Sequence, residues 1–152
     1  MYPDFNRFLD QIDEIVRSDQ DRDSKFESIC KLLALSVSHY NWVGIYIADN
    51  ENKQLNLGPY VGKSTSYIMI PFGKGVCGQV AEKQVIIVVQ DVSKKENYLP
   101  CSLEVKSEIA VPIIKDNVFV GEIDIDSFVL TPFTDKDEEL LTKVAEHVSK
   151  LF

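Results

Sequence analysis

Residues 107–128, SEIAVPIIKDNVFVGEIDIDSF, hold two strand-like runs on either side of Lys115-Asp116-Asn117. Asp and Asn tolerate the left-handed backbone angles of a tight turn, so the segment predicts an antiparallel β-hairpin. Its second arm alternates strictly: side chains two apart on a strand share a face, so Asp124 and Asp126 point one way and Ile123 and Ile125 the other. An apolar face must pack on something. The carboxylate face must be solvated, share a proton or hold a cation.

Working outward, NWVGIYIAD (41–49) and QLNLGPY (54–60) form a second hairpin, and SYIMIPFG (66–73) a third strand stopped by Pro71 and Gly73. VCGQVAEKQ (76–84) predicts a short helix and VIIVVQDV (85–92) a buried strand. SKKENYLPCSLEVK (93–106) has no sustained period and reads as a long connection, a feature more often functional than not in compact domains. Two amphipathic helices open the chain. Phe5, Phe8, Leu9, Ile12, Ile15 and Val16 mark the first; Phe26, Ile29, Cys30, Leu33 and Val37 mark the second, capped by Asp23 or Ser24 and running to about His39. TDKDEELLTKVAEHVSKLF (134–152) closes it as a helix capped by Thr134, with acids in its first turn.

This order predicts an α+β fold with a mostly antiparallel sheet. The N- and C-terminal helices would pack on one face, and a ligand pocket with its loops, from Gly73 to Glu108, would lie on the other. We expect a single domain over 1–152, with helices in 1–39, sheet and pocket loops in 40–133, and the last helix in 134–152. The 152 residues suffice for a core without staples, and 45% hydrophobic with 26% charged residues is an ordinary globular composition. A net charge of -8 opposes binding to nucleic acid and to acidic lipid. The acidic N-terminus lacks signal-peptide character and no apolar run is long enough to span a membrane, so a cytoplasmic location is expected. Three cysteines, an odd number, argue against a disulfide framework, and His39 and His147 do not stand at zinc-ligand spacing from any of them.

Two of those cysteines sit oddly for core filler. Cys101 lies in the long connection near Lys94, Lys95 and Lys106, whose charges would favour a thiolate; Cys77 lies at the start of the short helix, where the dipole would lower a thiol pKa. Each is a nucleophile or a packed thiol, and as a pair they could form a reversible disulfide. Cys30 belongs to the apolar stripe of the second helix. Asp124 and Asp126, joined by Glu108 if the hairpin register allows, form either a solvated face or a socket for an ammonium group or a protonated carboxyl. Trp42 and Tyr46 share a strand face and serve as core or as an aromatic wall. Gly73, Gly75 and Gly78 fit neither the Walker nor the dinucleotide fingerprint and give backbone freedom around Cys77.

The motifs NWVGIYI, LNLGPYVGK, IPFGKGVCG, CSLEVKSEIAVPI, VGEIDIDS and FTDKDEELL, in that order, resemble the GAF-domain superfamily and, within it, the free methionine-(R)-sulfoxide reductases. The resemblance implies a mostly antiparallel six-stranded sheet between helices and thioredoxin-dependent reduction of free L-methionine-(R)-sulfoxide. It implies Cys101 as the attacking thiolate, Cys77 as its disulfide partner, Glu108, Asp124 and Asp126 as the acids that hold the amino group and polarise the sulfoxide, and Trp42 and Tyr46 as the wall near the methyl-sulfinyl end. No cofactor and no metal are implied; a homodimer through the helices is. Many members carry a further, resolving cysteine ten residues before the one at position 77, where this chain has Tyr67. The rival expectation is a stand-alone GAF module that binds a ligand or senses redox state without turnover.

Overall fold

In the computed structural model, which describes residues 2–99 and 102–152, helices α1 (Phe5–Arg17) and α2 (Arg22–Ser36) precede strands β1 (Trp42–Asp49), β2 (Gln54–Val61) and β3 (Met69–Pro71). Helix α3 (Gly75–Lys83), strand β4 (Ile87–Val89), a single 3-10 turn at Val92–Lys94, strands β5 (Ser107–Lys115) and β6 (Val118–Ser127), and helix α4 (Asp135–Ser149) complete the chain.

The apolar stripe of α1 turns Phe8, Ile12 and Val16 inward, and Asp4 caps its start by accepting from the Arg7 amide at 3.0 Å. The cap of α2 is Asp21, not Asp23 or Ser24: its carboxylate accepts from both the amide and the hydroxyl of Ser24, at 2.8 and 2.9 Å. Three acceptor-bearing residues crowd that start, and the one whose own backbone is extended, Asp21 at φ -67° and ψ 165°, is the cap. The helix also ends at Ser36, short of His39, which leaves His39 and Tyr40 free to turn toward α4.

All six strands lie in one sheet, ordered β3-β2-β1-β6-β5-β4, and every neighbouring pair is antiparallel. The β5–β6 hairpin turns at Asp116 and Asn117, with φ of 51° and 65°, the two successive positive values that a two-residue type I′ loop requires. Its register sets Glu108 directly opposite Asp126. β4 departs from expectation, because only Ile87–Val89 pair, at the sheet edge, where Ile87 and Val88 are half-buried and Val85 is exposed. A short unbroken apolar run cannot distinguish a central strand from an edge strand lying under a helix.

Alternation then separates two cores. Val43, Ile45, Ile109, Val111, Ile113, Ile123 and Ile125 face α1, α2 and α4. The opposite face presents Trp42, Tyr46 and Ala110 to α3, which contributes Val76, Cys77, Val80 and Ala81. Each fully buried Ile on the first face contributes roughly 1.5–3 kcal/mol, so the helix-covered side carries most of the stabilisation and leaves the α3 side free to hold polar groups.

Candidate functional site

Three strands and one helix build the site. On β6, Glu122, Asp124 and Asp126 occupy alternate positions and share the α3 side; β1 sets Tyr46 opposite Glu122 and Trp42 opposite Asp126, and β5 sets Glu108 opposite Asp126. All four acids are buried, from 0% exposure at Glu122 to 5% at Glu108. Solvated acids on a sheet face, the bland alternative, are thereby excluded.

Helix α3 brings Cys77 onto this row, and glycines permit its approach. A Cβ at Gly78 would stand 2.7 Å from the Pro71 carbonyl oxygen, and Gly75, at φ 64°, would meet Leu99 at 2.8 Å. Asn97 latches the long connection to the helix start: its Oδ1 accepts from the Gly75 amide at 2.8 Å, its Nδ2 donates to the Gly73 carbonyl at 2.8 Å, and its own carbonyl accepts from Gln79 Nε2 at 3.0 Å. The Cys77 thiol donates to Glu108 Oε2 at 3.7 Å, and one ligand-type atom from each of Cys77, Glu108 and Asp124 lies within 4.8 Å of the others.

Burial pushes the Cys77 thiol well up, and the carboxyls of Asp124, Glu122 and Glu108 push it further. The expected lowering by the helix dipole is thus corrected. A half charge at a helix end is outweighed by complete desolvation beside three acids. Burial also raises Asp124, against hydrogen bonds from Glu108 and Cys77 that favour its ionised form. Burial raises Glu122 most, against a contact from the Cys77 thiol that favours its ionised form, and Asp124 raises it further; neither of its oxygens has a hydrogen-bond partner that meets normal geometry.

The site is divided and nearly closed. Tyr46, Tyr67, Leu99, Cys77, Glu108 and Asp124 surround a cavity with free space of about 10 Å³, room for about one water-sized sphere. Trp42 and Asp126 border a neighbouring one of about 20 Å³, with Lys63, Thr65 and Ser102. Tyr46 donates to the Tyr67 carbonyl at 2.9 Å, and Trp42 donates to the Lys63 carbonyl at 3.0 Å while stacking on Tyr60. Lys63 also pairs with Glu104, tying the two loops above the second cavity. A larger open groove of about 410 Å³ lies elsewhere, between Val85, Ile114 and Ala145, but its walls are mostly apolar and bring no acids or thiols together.

Of the residues singled out in the sequence, Trp42, Tyr46, Cys77, Glu108, Asp124 and Asp126 come together along this row. Cys101 lies outside the described residues. Cys30 is buried on the helix-covered face, its thiol pushed up to about 12 by burial. Two residues were missed. Glu122 carried the same signal as its neighbours, the third acid of an alternating E-I-D-I-D run; Asn97 carried none, because a side-chain latch between distant segments leaves no spacing to read.

Residues 21–151 match the model of the GAF domain. The chain is 35% identical to Protein YtsP of Bacillus subtilis over 97% of its own length and 90% of that protein. It is 42% identical to the free methionine-R-sulfoxide reductase of Saccharomyces cerevisiae, over 79% of its own length and 66% of that protein. Among solved structures, the free methionine-R-sulfoxide reductase of Neisseria meningitidis in complex with its substrate superposes with a TM-score of 0.91 at 30% identity, over 100% of this chain and 93% of that one.

Proposed function

The chain belongs to the GAF-domain family and, within it, to the free methionine-R-sulfoxide reductases, and we propose that it reduces free methionine-(R)-sulfoxide to methionine at the acid-lined row beside Cys77. The observation that carries this reading is the meeting of the Cys77 thiol with Glu108 and Asp124 around one small cavity, with Glu122 and Asp126 buried on the same row. Buried carboxyls suit a zwitterion: ionised ones hold its ammonium group, and a protonated one donates to its sulfoxide oxygen. Glu108, Asp124 and Asp126 take these roles, with Trp42 and Tyr46 against the methyl-sulfinyl end.

In the proposed sequence, a carboxyl protonates the sulfoxide oxygen and the Cys101 thiolate attacks sulfur. An S–S bond forms on attack; as the S–O bond breaks the hydroxyl passes to the Cys101 sulfur, the S–S bond breaks in turn, methionine leaves, and Cys101 carries the oxygen as a sulfenic acid. The Cys77 thiol then attacks the Cys101 sulfur, water departs with the thiol proton, and a Cys77–Cys101 disulfide remains. A dithiol reductant of the thioredoxin kind restores both thiols. With Tyr67 where many relatives' resolving cysteine would stand, Cys77 has that task alone. The reading includes a cytoplasmic enzyme that forms a homodimer.

The test uses separated sulfoxide epimers with either dithiothreitol or thioredoxin as reductant. The R epimer alone should be reduced. Cys101→Ser should lose at least about 10³-fold in rate, as expected when a nucleophile is removed. Cys77→Ser should keep turnover with dithiothreitol and lose it with thioredoxin. Binding of the R epimer without any turnover would instead establish a ligand-binding module.

A further inference from the structure

We propose that Cys77, Glu108 and Asp124 form a binding site for one zinc-type divalent ion, which occupies the cavity beneath Tyr46 and Leu99 and excludes an amino-acid ligand from it. The three donors come from three different elements, α3, β5 and β6, so no Cys-or-His spacing in the sequence announces them. The inference stands apart from the proposed reduction, which needs no metal.

Geometry supports it at three points. In tetrahedral zinc coordination, with Zn–S near 2.3 Å and Zn–O near 2.0 Å, a sulfur and an oxygen ligand stand about 3.5 Å apart. Cys77 Sγ and Glu108 Oε2 stand at 3.7 Å, and the Asp124 oxygen completes a triangle whose sides are all within 4.8 Å. The free space they enclose, about 10 Å³, is far too small for an amino acid as it stands and suits a single ion or water. Asp124, 2% exposed and lining that space, has an Oδ1 with no hydrogen-bond partner.

The donor set selects the metal. A thiolate with two carboxylates suits zinc or a similar borderline ion and disfavours magnesium and calcium, which take all-oxygen shells. Binding displaces the Cys77 thiol proton and requires both carboxyls ionised, with no change of oxidation state. Glu122, fully buried beside the sulfur, then gains a cationic neighbour and acts behind the ligands. Because the ion uses the acids proposed to hold a substrate ammonium group, zinc and methionine sulfoxide should compete.

The experiment titrates full-length protein, stripped of metal with a chelator and kept reduced with a phosphine, with zinc by calorimetry and with cobalt(II) by absorbance. One equivalent should bind with a Kd of about 10 µM or tighter, and cobalt should show a thiolate-to-metal charge-transfer band. Cys77→Ser should lose that band, Asp124→Asn should weaken zinc at least about tenfold, and Glu122→Gln, acting from behind, should weaken it by about tenfold. Cys30→Ser, on the opposite face of the sheet, should bind zinc as the unmodified protein does. No saturable uptake below about 100 µM, or uptake unchanged in Cys77→Ser and Asp124→Asn, overturns the site. Turnover that fails while zinc still binds would sink the reductase reading and leave this one standing, and the reverse result would do the opposite.

Discussion

Glu122 shows how far a single residue can govern the chemistry around it. A carboxyl that is fully buried, without a geometric partner and beside Asp124, stays protonated well above its ordinary range. The folded state therefore binds a proton that the unfolded chain releases near pH 4.3, and folding stability must fall as pH rises from there toward the raised native value, by up to about 1.4 kcal/mol per pH unit. Glu122→Gln removes this dependence. Its stability relative to the unmodified protein should climb as pH rises above the ordinary carboxylate range in denaturant melts, whatever offset the new amide introduces. Parallel pH profiles for the two proteins would show that Glu122 is already ionised.

At the scale of elements, α4 owes its position to its first turn. Thr134 and Asp137 form a reciprocal capping box, and the Asp137 carboxylate also accepts from the Tyr2 and Tyr40 hydroxyls, each at 2.6 Å, and pairs with His39 Nε2 at 2.9 Å. Burial opposes ionisation of Asp137, yet the hydrogen bonds from His39, Tyr2 and Tyr40 outweigh it and hold its carboxyl below the usual range. Its contribution is therefore fully present above about pH 4 and is lost as pH falls through the native value. Asp137→Ala should cost about 2 to 4 kcal/mol near neutrality, against about 1 kcal/mol for Thr134→Ala, and the Asp137 penalty should shrink in acid melts. The cap itself was legible, as a Thr followed by acids. The three aromatic partners were not, since they reach α4 from α1's flank and from the turn after α2. The same limit explains the other elements. Long periodic segments such as α1 and the β5–β6 hairpin were legible because burial enforces their period over many residues. Strand β4 depends on its edge pairing with β5, and the start of α2 on which of several adjacent acceptors has extended backbone, and neither has a period to read.

Across the whole molecule, the sheet divides labour between its faces, and that division made the acid row readable: apolar residues of β6 go to the helices and acids to α3. What the sequence could not convey is that the row is shut. Leu99 lies over Gly75 and lines the Cys77 cavity, held there by the Asn97 latch, so an amino acid can enter only if the long connection moves. Two barriers then slow any reaction of Cys77 with a reagent in solution, its 4% exposure and its raised pKa, each unit of which lowers the thiolate fraction about tenfold. Leu99→Ala removes the first barrier without adding charge, and should speed alkylation of Cys77 by iodoacetamide at least about tenfold under native conditions, read by mass spectrometry of the Cys77 peptide. Cys30, buried on the opposite face, is the internal control and should stay unreactive in both proteins. If Leu99→Ala leaves the Cys77 rate unchanged while Asn97→Ala raises it, the whole connection opens as a unit and its latch, rather than the leucine, sets access to the site. If neither variant changes the rate, access runs by another route and the closed cavity does not limit entry.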